Sequence, residues 1–192
     1  MKYIAFVLIF MSSSLWAAGL PLNKGLIESF YTVAEKISSL ESKYPKVFAE
    51  SEKLSSVGDE KTIKFMEASK AYPDIKNILS SSEFSDLDAF FDVSSRLMGS
   101  LYSAQIKKMP AGMDINSMFQ LQEKSIANME KTSGVPASVI SEMKESLSKA
   151  KAQRKHMEIA SRKASEADKK FILDNMAWVM TMIPDLGGHD EE

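Results

Sequence analysis

The 192-residue chain predicts an all-α fold, a single-domain bundle of six to seven helices, and three observations carry that expectation. Apolar residues recur at steps of three and four along most of the chain, which is the period of one helix face. Nowhere does the strict alternation of a half-buried strand compete with it. Glycine and proline are few, 8 and 6, and they fall between the periodic stretches, while good helix formers fill the rest.

The first helix is read from Leu26, Phe30, Val33, Ile37, Leu40 and Tyr44, which share one stripe. Pro45 ends or kinks it, and Val47, Phe48 and Leu54 suggest a further short piece before Val57. A second helix is expected over about 60–71, with Ile63 and Met66 inward. YPKV at 44–47 returns loosely as YPDI at 72–75, a repeated corner in which the proline suits the first turn of a new helix. Ser85 and Asp88 make a capping box for the strongest helix, and Phe84 staples over it. That helix carries Leu87, Phe90, Phe91, Leu97, Met98, Leu101 and Tyr102 and runs to about Met109. Ser94, Ser95, Gly99 and Ser100 lie within it as small residues that let another helix approach. After Pro110–Gly112, a helix over about 116–131 turns Met118, Leu121, Ser125 and Met129 inward. Pro136 then opens a long helix with Val139, Ile140, Met143, Leu147 and Ala150 on its apolar side. Ser165 and Asp168 form a second capping box before a last helix from Glu166 to about Ile183, which Pro184 stops.

The ends read differently. Residues 1–19 have the pattern of a signal peptide: Lys2, an apolar run from Tyr3 to Met11, then Ala17-Ala18-Gly19 as the cleavage site. The run is shorter than the ~20 residues that span a bilayer, and no cysteine follows for lipidation, so a periplasmic protein without a stable membrane anchor is expected. Residues 20–184 then make the helical domain, and 185–192 a disordered polar tail.

Function is bounded mostly by exclusion. Lys and Arg total 24 against 26 Asp and Glu, a balance that predicts neither nucleic-acid binding nor attraction to an acidic membrane. Without a single cysteine, thiol catalysis, thiolate metal sites and disulfides are all excluded. His156 and His189 are the two histidines, and no nucleophile elbow, paired-histidine zinc motif or phosphate loop occurs. Asp86, Asp88 and Asp92 cluster where acids complement a helix dipole, so no catalytic residue and no cofactor is assigned.

Three features remain as candidates. Met is abundant, 13 in all, and Met109, Met113 and Met118 surround the Pro-Gly loop as weak candidates for a soft metal such as Cu(I). Elsewhere Met reads as a flexible core filler or part of an adaptable binding surface. A basic stretch, with Lys149, Lys151, Arg154, Lys155, Arg162 and Lys163, is either a solvated helix face or a dock for an anionic partner. The last helix, FILDNMAWVMTMI, is apolar nearly all round, so Trp178 is expected largely buried in a central helix, with a partner-facing surface as the alternative.

The segment from Ser82 to Met113, continued through SGVPASVISEMKESL, resembles a family of small exported, all-helical proteins of gammaproteobacteria. The shared pattern is a Phe-Ser entry, an aromatic pair, an arginine at the place of Arg96 and a Met-rich exit. It implies an exported helical fold and transfers no reaction. Arg96 is the matching residue with chemistry of its own, either an ion pair with Asp92 at i, i+4 or an anion site. The leading expectation is therefore a non-enzymatic accessory or chaperone-like factor that binds another protein, with Arg96, Lys151, Arg154, Lys155 and Trp178 as its candidate surface. A small-ligand or copper carrier using the Met-rich loop is the alternative, and a carboxylate-based hydrolase the third.

Overall fold

The computed structural model describes residues 19–54, 60–110, 112, 114–131 and 134–183. The leader, the tail 185–192, Met113 and His189 lie outside that range, Gly19 excepted. Among the described residues the chain is all α-helix, with no strand and nine helices: α1 (Lys24–Ser39), α2 (Pro45–Lys53), α3 (Glu60–Ala68), α4 (Tyr72–Ser80), α5 (Leu87–Lys108), α6 (Ile115–Lys131), α7 (Ala137–Lys163), α8 (Glu166–Asp174) and α9 (Met176–Thr181). No helix among the described residues is long and apolar enough to cross a membrane.

There are more helices than the six or seven expected, and the last one shows why. Asn175 interrupts it: its side-chain amide donates to the Phe171 carbonyl at 2.9 Å, while its own N–H caps the same carbonyl at 3.0 Å. A short polar side chain that competes for a helix carbonyl is a local stop signal. At the other end, the expected stripe survives but breaks into α1 and a 3₁₀ turn, Leu40–Ser42. Lys43 and Tyr44 both donate to Asp74, at 2.6 and 2.9 Å, so the two Tyr-Pro corners lock onto each other.

The core surrounds α5. Leu87, Phe90, Val93, Leu97, Leu101 and Ala104 are buried along it and meet Leu26, Ile27 and Val33 of α1, Ile75 and Leu79 of α4, Ile172 of α8 and Val179 of α9. Phe30 stacks on Phe90 at 4.9 Å, and Phe84 meets Phe90 edge-on at 5.4 Å. The cap of α5 is Asp86 rather than Ser85: its carboxylate accepts the Ala89 N–H at 2.8 Å, and Ser85 supports it through its hydroxyl. Asp caps as well as Ser, so adjacent candidates are hard to rank from sequence.

Two close approaches fix the neighbours of α5. At Gly99, α7 comes so near that a Cβ would sit 2.3 Å from the carbonyl carbon and oxygen of Ala160. One turn later the hydroxyls of Ser103 and Ser161 hydrogen-bond at 2.6 Å. At Arg96, the guanidinium reaches into the core and meets Asp168 of α8 with two bonds, 3.0 Å from Nε and 2.9 Å from Nη2. Arg96 Nη2 also donates to the Leu20 carbonyl at 2.5 Å, and Asp168 accepts the Leu22 N–H at 2.7 Å. The start of the described chain is thus pinned to both helices. The capping box expected at Ser165 and Asp168 is present, so one carboxylate caps α8 and anchors Arg96 at once.

Beyond this core, α6 and the first half of α7 form a hairpin with little buried surface. Ile126 is the one buried residue of α6, and Ile140 the one buried residue of α7.

Candidate functional site

The far end of α5 and the first turns of α6 enclose an apolar groove of about 310 Å³. Tyr102, Gln105, Ile106 and Met109 line it from α5, and Ile115, Met118, Phe119 and Gln122 from α6. Each set repeats at i, i+3, i+4 and i+7, so each is one stripe of its helix. Ile106 and Met118 keep 41% and 45% of their surface in solvent, so the groove is open at these two positions.

Polar groups hold the α6 wall in place. Asp114 precedes the helix, and its carboxylate accepts the N–H of Asn116 at 2.9 Å and that of Ser117 at 3.2 Å. The Asn116 N–H first and the Ser117 hydroxyl next, with the Ser117 N–H, lower the carboxyl's pKa against the opposing effect of burial. From α7, Arg154 donates to the Asn116 side chain at 2.6 Å and to Glu158 at 2.8 Å, while Lys151 reaches Glu123 at 2.5 Å. Both cations also stand over the Phe119 ring, 5.9 Å and 5.8 Å from its centre. Phe119 therefore links the groove to a cationic brace on α7.

This geometry rearranges the sequence-derived candidates. Met109 and Met118 come together on the groove, and Met113 lies outside the described residues. Lys151 and Arg154, expected as part of an interaction surface, reach acceptors on α6 while keeping part of their surface in solvent, and Lys155 stays exposed on α7. Arg96 is not a surface group at all, being 6% exposed. Burial disfavours its charge, but Asp168 first and Asp92 second outweigh that and raise its pKa. Burial likewise pushes Asp168 upward, yet Arg96, the Leu22 N–H and Ser165 leave it below the ordinary carboxylate value. Asp92 is a weaker partner of Arg96 at 3.4 Å. Trp178 is half-buried rather than enclosed, packed on the core with the Lys24 ammonium 5.2 Å from its ring centre.

The α6 face also differs from expectation. Met118 and Leu121, expected inward, are 45% and 65% exposed, and Ile126 takes the buried place. Ile106, Phe119, Gln105 and Gln122 were not singled out from sequence. The signal that finds them is the same apolar spacing on both sides of Pro110–Gly112. Of the acids clustered at the start of α5, Asp86 caps the helix and Asp92 pairs with Arg96. Among the described residues no three His, Cys, Asp or Glu side chains gather to hold a metal. A comparison with known protein families, curated proteins and solved structures finds no match for this chain.

Proposed function

We propose that the chain is a non-enzymatic, periplasmic binding protein, an accessory or chaperone-like factor that holds an apolar segment of another protein in the α5–α6 groove. One observation carries this reading: two helices present matched apolar stripes to a shared, open groove of about 310 Å³. Such a volume is at the small end of pockets for small molecules, which runs from roughly 300 to 1,000 Å³, and it suits protruding side chains. Met109 and Met118 contribute flexible thioether chains that re-pack around different apolar shapes. The leader-like first nineteen residues support the exported location.

The test is binding of a neutral naphthylamine dye that fluoresces in apolar sites. One equivalent should bind with strongly enhanced emission, and Ile106→Ser with Met118→Ser should abolish it while the helical circular dichroism is kept. Absence of dye binding by the unaltered protein would refute the groove as a binding site.

A second reading, a soft-metal carrier, is favoured by one feature, the convergence of Met109 and Met118 on the same groove. A tight one-to-one Cu(I) complex that Met109→Leu and Met118→Leu destroy would put this reading first.

A further inference from the structure

We propose that Met118 is a site of oxidative modification, and that its conversion to the sulfoxide by a peroxide closes the groove to apolar occupants; this consequence rests on the groove being a binding site. The chain has no cysteine, so its thioethers are the sulfur groups that an oxidant meets. Access decides which of them react, and access is uneven. Among the described residues Met98 and Met118 are the exposed methionines, at 38% and 45%. Met66 is enclosed in the core, and the other seven described methionines are half-buried. The two exposed ones differ in place: Met118 lines the groove, and Met98 lies on α5 outside its lining.

The reaction needs a peroxide and nothing else. A lone pair of the Met118 sulfur attacks one peroxide oxygen, the O–O bond breaks and an S–O bond forms. The displaced hydroxide takes the remaining proton and leaves as water, so sulfur is oxidised by two electrons and the peroxide is reduced by two. A flexible apolar side chain becomes a polar, chiral one. Met118 shares the α6 wall with Ile115 and Phe119 and faces Ile106 and Met109 across the groove, so its surroundings are apolar or aromatic. An apolar occupant seated there strips water from the new sulfoxide oxygen, and burying a polar group without a partner costs enough to weaken binding roughly ten-fold. The helix itself is spared, because α6 is anchored through buried Ile126 and not through Met118.

The experiment treats the whole protein with hydrogen peroxide, follows each sulfoxide by peptide mass spectrometry, and reads the groove with the naphthylamine dye. Met118 and Met98 should convert first and Met66 last. Conversion of Met118 should weaken dye binding roughly ten-fold with the helical circular dichroism kept, and methionine sulfoxide reductases for both epimers should restore it. Met98→Leu should lose dye binding on oxidation as the parent does, whereas Met118→Leu should keep whatever affinity it has before treatment. Met118→Gln, a polar stand-in for the sulfoxide, should bind the dye weakly with no oxidant present. Unchanged dye binding by protein whose Met118 is fully oxidised would overturn the switch, as would an equal loss in Met118→Leu or a loss that tracks unfolding. Conversion of Met66 ahead of Met118 would overturn the assignment of the site. Failure of the untreated protein to bind the dye would instead refute the groove reading beneath the switch.

Discussion

In an ordinary helix interior, exchanging glycine for alanine stabilises, because glycine costs roughly 1 kcal/mol of helix propensity. At Gly99 the structure reverses that sign. The added Cβ would meet Ala160 carbon and oxygen at 2.3 Å and the Ser161 nitrogen at 2.4 Å. These are backbone atoms of α7, so no side-chain rotation relieves the overlap. Ordinary contact begins near 3.4 Å, and the two helices would have to part by about 1 Å at the crossing. A gap of that size forfeits a quarter to a half of the dispersion energy along the seam, and overpacked cores typically lose about 1–3 kcal/mol. It also stretches the 2.6 Å bond between Ser103 and Ser161, worth about 1 kcal/mol. Net of the propensity gain, Gly99→Ala should cost about 2 kcal/mol. For a domain of this size that lowers the melting midpoint by roughly 4–8 °C.

Gly25 supplies the control. It lies in the first turn of α1, where a Cβ would meet only the Asn23 side chain at an ordinary 3.5 Å. Gly25→Ala should leave stability unchanged or raise it by up to about 1 kcal/mol. Urea titrations followed by circular dichroism measure both variants. A Gly99→Ala protein as stable as the parent would mean that α5 and α7 do not cross as closely as described, and the packing argument would fall with it.

Asp168→Ala should destabilise by about 3–5 kcal/mol, since it strands the buried Arg96 charge; adding Arg96→Met should restore part of the loss. Because Asp168 has a folded pKa below its unfolded one, its stabilisation is complete above about pH 4 and is lost as pH falls through the lower folded value, which an acid-unfolding series of parent and Asp168→Asn would display. Trp178, half-buried beneath Lys24, should emit at an intermediate wavelength and be partly quenched by acrylamide, and Trp178→Ala should cost roughly 2 kcal/mol, less than the 3–5 of a fully enclosed ring. Intact-mass measurement of protein recovered from the periplasm should place the mature N-terminus at Leu20 or within a residue or two; a retained Met1 in membrane-embedded material would refute the proposed export.

What was legible in the sequence was local. Helix periodicity, the proline at the start of α2 and the capping box at Ser165 all depend on residues within a turn or two, and the structure repeats them. Arg96 marks the limit. Its neighbour Asp92 is visible at i, i+4, but the stronger partner, Asp168, lies 72 residues away and is brought near only by packing of α8 on α5. The α6 face failed for a related reason. Its sequence offers apolar residues over a broad arc, Leu121 and Met118 on one edge and Phe119 and Ile126 on the other, and a helix packed chiefly on one neighbour can bury either edge. In the structure Ile126 is the buried side, Lys151 and Arg154 meet acceptors on α6, and Met118 keeps 45% of its surface in solvent.

The same contrast explains how the groove is built. Its α5 wall belongs to the helix that Arg96 and Gly99 fasten to three other parts of the chain. Its α6 wall is held by one buried isoleucine and by exposed or partly exposed polar pairs, each worth only about 0.2–1 kcal/mol. One wall is therefore fixed by burial, and the other yields at small cost. In the proposed binding role, a groove of that construction would keep its place and its chemistry while its width adjusts to an apolar occupant, and Met109 and Met118, the most adaptable groups in it, stand on opposite walls.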